Sequence, residues 1–311
     1  MPKPNAFFMI FYFAAVLVAA IPAFRFGRGK TGSITCVVLL GGIWLGSVLM
    51  GRAAATMTVL PCAGTPAYVE VAGEEDLLID CSNERDADFV VKGFLRARGR
   101  GTIDTLLLTH GDIQSAGGFG LVWDEFRPEV VVTSTARARS PVYRRAMRFL
   151  EERPERWKTV SVGDEVNGWE VLHPGRGRGL PRADDNCVVL RRVIEGWRVL
   201  HVSDLGAVGQ REFLENGGEL RADIVIAGMP ESGEPLSGDL LEAIRPRAII
   251  LGTSRYPYTA VGSPKLRARL EASGAEVFYT NEEDAVTVTF RDEACEIRTM
   301  RGRTVVLGGG R

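Results

Sequence analysis

No two of the five cysteines (Cys36, Cys62, Cys81, Cys187, Cys295) form a CxxC pair. That excludes a zinc knuckle and a dense disulfide framework, and leaves buried free thiols, with a single Cys62–Cys81 bridge still open. No Gly-rich phosphate loop follows the first strand-like run. Gly117-Gly118 marks a turn and a helix start, and is neither a GxGxxG nor a Walker sequence. Tandem repeats and long low-complexity tracts are missing as well. Residues 1–56 hold no Asp or Glu, only Lys3, Arg25, Arg28, Lys30 and Arg52. The remainder carries 33 basic against 39 acidic residues, a formal net of −6. A strongly basic footprint for nucleic acid is therefore lacking, although a local patch stays open.

The acid-free start contains two uncharged hydrophobic segments, Ala6–Phe24 over 19 residues and Ser33–Met50 over 18. Each reaches the roughly 18-residue minimum for spanning a bilayer, and neither has a polar face. A cleaved signal peptide would account for the first segment but not the second. The pair reads as a transmembrane helical hairpin over residues 1–55, with helices about 6–24 and 33–50. Arg25, Arg28 and Lys30 in the connecting loop place that loop in the cytoplasm by the positive-inside bias. The expected location is the plasma (inner) membrane, with the domain of residues 56–311 on the outer side.

Beyond Arg52 the pattern changes to short apolar runs between turn residues. Strands are expected within 57–80, then a helix around 85–98, the strand "DTLLLTH", a helix near 117–126, the strand "EVVVTS" and a helix over 141–152. A second series follows, with strands near 157–162, 169–174, 187–193 and 197–203. After them come helices near 207–215, 236–244 and 263–273, alternating with the strands "ADIVIAG", "RAIILGT" and "EVFYT". "AVTVTF" and up to two further strands finish the chain. Two halves that each start with hairpins and continue with βα units imply an α/β fold of two mixed sheets packed face to face, an αββα sandwich. A doubly wound parallel sheet fits less well, because strands 57–80 and 157–203 run without crossover helices. The Gly-, Pro- and Arg-rich stretch "PGRGRGLPRADD" (174–185) reads as a mobile loop.

Three histidines are available for chemistry. His201 sits among apolar residues and reads as strand filling; His173, before a proline at a strand end, reads as structural. His110 follows "TLLLT" directly and has Asp112 at i+2, a spacing that lets two side chains on one turn converge on a cation. With its surroundings, "LLLTHGDIQSAGG" resembles the metal loop of the metallo-β-lactamase fold, His-x-His/Asp-x-Asp-His followed by Gly-Gly. Further segments keep the same order. "VLHPGRGRGLPRADDNCVVLRR" is similar to the family's "hP…N..S" stretch, with Asn186 in place. "WRVLHVSDLGAVGQREFLE" places Asp204 at the metal-bridging aspartate, and "ADIVIAGMPESGEPLSGDLLEAIRPRAIIL" resembles the segment around "HHGS". With membrane segments ahead of it, the whole is most similar to the C-terminal region of the ComEC/Rec2 competence proteins, membrane proteins linked to DNA uptake.

What the resemblance implies is altered by departures from the pattern. Gln114 and Ser115 stand where the family has Asp and His, Met229-Pro230 replace the paired histidines, and the early aspartate loop reads Pro61–Pro66 without an acid. Gln is neutral and Ser a weak ligand. His110, Asp112 and Asp204 remain as a partial ligand set, with Asp80 as a structural match. These three can hold no metal or a single divalent ion (Zn, Mn or Mg). His110 and Asp112 can instead bond the turn before Gly117, and Asp204 can cap the helix near Ala207. The expectation is a membrane-anchored protein of this fold, catalytically degenerate and acting by binding a membrane-protein partner or ligand. Two alternatives stand beside it. One is a one-metal phosphodiesterase or nuclease acting on DNA. The other is a non-cleaving binder of single-stranded nucleic acid, using the arginines of 137–158 with Tyr143 and Trp157 for stacking.

Overall fold

Each half of the chain pairs antiparallel hairpins with parallel βα units, and the two halves stack. The structure, a computed structural model, describes residues 54–309 apart from 137, 178, 217 and 255–260. The two segments expected to cross a membrane, and Cys36, lie outside the described residues. Among the described residues no helix is long and apolar enough to cross a membrane.

The first half supplies β1 (Ala55–Val59), β2 (Ala67–Glu70), β3 (Leu77–Ile79), β4 (Thr105–Leu108), β5 (Val130–Ser134) and β6 (Trp157–Val160). The second supplies β7 (Glu165–Val166), β8 (Trp169–His173), β9 (Val189–Ile194), β10 (Trp197–Ser203), β11 (Ile224–Ala227), β12 (Ala248–Leu251) and β13 (Glu276–Tyr279). The chain then returns to the first sheet through β14 (Val286–Phe290), β15 (Ala294–Thr299) and β16 (Thr304–Gly308). The sheets run β16-β15-β14-β1-β2-β3-β4-β5-β6 and β13-β12-β11-β10-β9-β8-β7. Parallel pairing is confined to β3 through β6 and to β10 through β13. These are the stretches where helices separate the strands, as parallel connections require.

Strand burial records the layering. In β4, Leu107 faces the core between the sheets while Leu106 and Leu108 face helices; in β12, Ile250 and Ile249 divide the same way. Both faces are covered, so these strands read as unbroken apolar runs. The inter-sheet core includes Trp169 and Trp197, both fully buried. Each removes roughly 200 Å² from water, worth on the order of 5 kcal/mol before conformational entropy is charged against it.

The outer face of the first sheet carries three elements beyond α1, a continuous helical stretch built from Glu84–Asp86, a π-geometry piece Ala87–Val91, and Lys92–Ala97. They are α2 (Ile113–Ala116), α3 (Phe119–Phe126) and α4 (Pro141–Glu151). The second sheet is covered by α5 (Ala207–Asn216), α6 (Gly238–Ile244) and α7 (Pro264–Ala272), with a short α8 (Thr280–Glu283) after β13. Ser-Pro pairs start α4 and α7: Ser140 and Ser263 accept from backbone N–H groups of Tyr143 and Leu266, and Pro141 and Pro264 take the first helical position.

The structure bears on three of the sequence readings. Cys62, Cys81, Cys187 and Cys295 are all buried free thiols, so no Cys62–Cys81 bridge exists. Within the described part of the 174–185 stretch, Asn186 accepts from the Leu180 N–H (2.7 Å) and donates to the Leu180 carbonyl (2.8 Å), and Arg176 donates to Asp164 (3.1 Å). Tyr143 is 2 % exposed and packs in the helix layer, which removes it as a stacking surface for a base.

Candidate metal centre

The carboxyl ends of β4, β10, β11 and β12 and the loop after β1 meet at one end of the sandwich, where α/β sheets commonly hold their ligands. Two residues there leave their strands in the left-handed region although neither is glycine: Asp80 (φ 58°) and Ser203 (φ 55°). Such backbone costs on the order of 1–3 kcal/mol and persists only where neighbours fix it. Asp80, fully buried, is fixed by accepting from the Thr109 N–H (2.8 Å) and the Thr109 hydroxyl (2.7 Å).

That bond sets the orientation of His110. With its one proton given to Asp80, the Thr109 oxygen is left to accept from His110 Nδ1, 2.9 Å away, and from the Ser203 hydroxyl, also 2.9 Å away. Ser115 Oγ adds a second contact to Nδ1 at 3.0 Å. Nε2 therefore points the other way. It is buried and has no hydrogen-bond partner among the described residues.

Two carboxylates face this orphaned nitrogen. Asp112 Oδ1 is 3.4 Å away and Asp184 Oδ1 3.8 Å. The three donors lie within 4.8 Å of one another, the one such group of three or more among the described residues. Neighbouring ligands at about 2.1 Å from a tetrahedral ion stand roughly 3.4 Å apart, so the donor atoms fit a divalent cation. One imidazole and two carboxylates suit Zn, Mn or Mg. Both acids are fixed from behind. Asp112 caps α2 through the Ser115 N–H (2.8 Å), and Asp184 Oδ2 accepts the Glu231 N–H (2.7 Å).

Burial would push the His110 imidazole toward neutrality. The Cys187 sulfur and the Asp112 carboxylate outweigh it, and the His110 pKa lies well above the usual imidazole value. Cys187 is itself raised to about 12 by burial and stays a neutral thiol near pH 7, which leaves Asp112 as the anion that holds the proton. Asp112 in turn is lowered: burial opposes its charge, but His110 and the helix-start amides prevail. Burial raises Asp184 and drives Asp204 well above the carboxylate range. Metal binding here would have to displace the imidazole proton.

Of the three residues expected as ligands, the structure brings His110 and Asp112 together. Asp204 is outside the group of three; its Oδ1 is 3.4 Å from the Thr65 hydroxyl and abuts Gly228, where a Cβ would come within 1.7 Å of it. Asp204 does not cap the helix either. The Val208 and Gly209 N–H groups of α5 go to Asp185 Oδ1, both at 3.0 Å. The sequence reading missed Asp184 and Asp185, although an acidic pair closing an otherwise basic loop was a signal. His173 Nδ1 donates to the Cys187 carbonyl (2.7 Å), in keeping with a structural role.

A sequence model of the metallo-beta-lactamase superfamily matches residues 60–216. The chain belongs to that superfamily. Among curated relatives it is similar to the competence protein ComA of Neisseria gonorrhoeae, 25% identical over 211 residues, 66% of this chain and 28% of that one. It thus spans little more than a quarter of that relative's length. Solved metallo-beta-lactamases similar to it include SMB-1 bound to 2-mercaptoethanesulfonate (17% identity, 72% of this chain and 94% of that one, TM-score 0.41). The enzyme from Hirschia baltica is also 17% identical, over 62% of this chain and 93% of that one, with TM-score 0.39.

The superfamily ordinarily binds divalent metal, and here the partial His-Asp-Asp group is where that ion fits. The positions that depart from the metal loop are engaged otherwise. Gln114 Oε1 accepts from Asn83 Nδ2 (3.2 Å), Ser115 is spent on His110, and Met229 packs against the core of the second sheet. The mouth is a cleft of about 770 Å³ bordered by Asp112, Ile113, Gln114, Arg139, Met229 and Glu231, among others. That volume is in the range of sites for small organic ligands.

Proposed function

We propose that this is a membrane-anchored, competence-type member of the superfamily whose cleft holds one divalent cation at His110, Asp112 and Asp184 and acts by binding rather than by turnover. The observation that carries this reading is the hydrogen bonding of Gln114 and Ser115. Both side chains are tied to Asn83 and His110 and offer no second anionic ligand set. In-line phosphodiester cleavage on two-metal sites relies on paired cations that stabilise both the attacking and the leaving oxygen. A single cation supplies one Lewis-acidic contact for a phosphate or carboxylate oxygen. Around it, Asp80 and Thr109 orient His110, the Glu231 amide orients Asp184, and the α2 start orients Asp112. Membrane anchorage is supported by the two uncharged segments at 6–24 and 33–50, and the competence role by the ComA relative. The outer side of the membrane follows from the basic loop between those segments.

A one-metal phosphodiesterase is the second reading, favoured by the unpartnered His110 Nε2 beside an open cleft. Binding of single-stranded nucleic acid has local support from Arg144 and Arg148, exposed residues that share a concavity with Trp157. The readings separate in one assay: full-length protein with Mn²⁺ and single-stranded DNA, followed for both retention and cleavage. The proposal expects no cleavage above the Asp184→Asn background. Mn²⁺-dependent cleavage that Asp184→Asn abolishes would replace it with the enzyme reading. Retention that falls steeply with added salt would favour the nucleic-acid binder, since released counterions set that slope.

A further inference from the structure

At the opposite end of the sandwich, a pocket of about 210 Å³ is lined by Arg198, Arg221, Asp223, Arg245, Arg247 and Gly309, among others. Arg198 is the second residue of β10 and Asp204 follows its end, so this pocket and the metal centre are separated by about 20 Å at ~3.3 Å per residue. Four guanidinium groups surround one carboxylate, a surplus of three positive charges. Asp223 is already committed: it accepts the Arg198 N–H (2.9 Å) and the Arg198 side chain through Nε (3.3 Å) and Nη2 (3.5 Å).

Structural duties use only part of this donor capacity. Arg247 donates to the Gly308 and Gly309 carbonyls (2.7 and 3.0 Å) and stacks on Trp197 at 5.1 Å. Arg245 ends α6 and gives Nε to the Glu242 carbonyl (3.2 Å). The carbonyls at the end of α6 favour cations, which accounts for Arg245. They do not account for Arg221, which is exposed and has neither ion pair nor hydrogen bond among the described residues. Guanidinium forks match the oxygens of phosphate in pairs, and several like charges around one concavity are relieved by such an anion. The volume admits a phosphate group and is smaller than sites for whole organic ligands.

The pocket's location adds a second observation. Trp197 Nε1 donates to the Arg291 carbonyl (2.9 Å), and Phe290 pairs with Ala55, the first residue of β1. The pocket therefore adjoins the point where the chain enters this fold from the uncharged N-terminal segments. We propose that this arginine pocket is a phosphate-binding site, separate from the cleft. Its phosphate comes from a soluble anion or from an anionic phospholipid headgroup, and only the second source rests on the membrane reading.

The test uses full-length protein in nonionic detergent, titrated calorimetrically with inorganic phosphate and separately with dihexanoyl phosphatidylglycerol. Saturable binding of either is expected, weakened about tenfold or more in Arg221→Gln/Arg245→Gln and retained in Asp184→Asn. Saturation by phosphate alone assigns the soluble source; saturation by the lipid assigns the headgroup. No saturable binding of either, or binding unchanged in the double arginine variant, overturns the proposal. Phosphate binding that survives that variant but is lost in Asp184→Asn overturns it as well, by moving the anion to the cleft.

Discussion

His201 and His110 are both buried and carry opposite electrostatics, and the difference comes from their neighbours. Among the described residues no carboxylate counters burial at His201: its Nε2 meets the Thr65 carbonyl at 3.4 Å and its Nδ1 has no hydrogen-bond partner. Burial lowers its pKa to about 4. An unfolded chain takes up that proton near 6.5, so between these values the unfolded state binds more protons. The stability is present above pH 6.5 and lost as pH falls toward 4, a span worth on the order of 3 kcal/mol. His201→Leu should remove that part of the acid sensitivity, read as the difference in urea-unfolding free energy between pH 7.5 and 4.5. Equal pH dependence in wild type and variant would contradict a neutral, buried His201. His201 reads as strand filling from the sequence because apolar residues flank it on both sides, and the structure buries it within β10. The sequence could not place Asp184, because nothing near "PRADDNC" reveals that the Glu231 amide, 47 residues on, holds that carboxylate toward His110.

At the level of elements, the Gly117-Gly118 pair marks a turn and a helix start in the sequence, and the structure supplies a closer reason for it. A Cβ on Gly118 would lie 2.3 Å from the Ala87 side chain and 2.7 Å from the Cys81 carbonyl, so the start of α3 can approach α1 only through glycine. Gly93, inside the same helical stretch α1, meets nothing within 4 Å. Gly118→Ala should therefore cost about 1–3 kcal/mol through overpacking, while Gly93→Ala should gain roughly 0.5–1 kcal/mol from helix propensity. Denaturant titration of both variants checks the contrast, and shifts of the same sign would refute the packing argument. Periodicity located nearly every strand and helix because each is amphipathic or apolar on both faces. It gave no sign of the π-geometry piece at Ala87–Val91, which changes no residue pattern. Helix capping was misread for a similar reason: Asp204 is the nearest acid to α5 in sequence, but Asp185 reaches its amides across the fold.

For the whole molecule, the face-to-face sheets follow from the pattern of hairpins followed by βα units, and the family match agrees with it. The alternation of β3–β6 and β10–β13 with helices fixes which strand ends gather. The loops that follow Val59, Leu108, Ser203, Ala227 and Leu251 converge although nearly 200 residues separate the first from the last. A sequence motif reports only the His110–Asp112 turn among these. The third member of the group, Asp184, lies on the connection between β8 and β9 of the other sheet, so its placement depends on how the two sheets stack. The same stacking puts the arginine pocket at the far end, next to the entry of the chain.

The central claim is a single cation held by His110, Asp112 and Asp184. Its most direct test is the divalent-metal content of the full-length protein after equilibration with Mn²⁺ and Zn²⁺ and removal of free metal. One ion per chain is expected, falling to a small fraction of an ion in Asp184→Asn while thermal stability without metal stays close to that of the wild type. Two ions per chain, or one ion retained in Asp184→Asn, would contradict it.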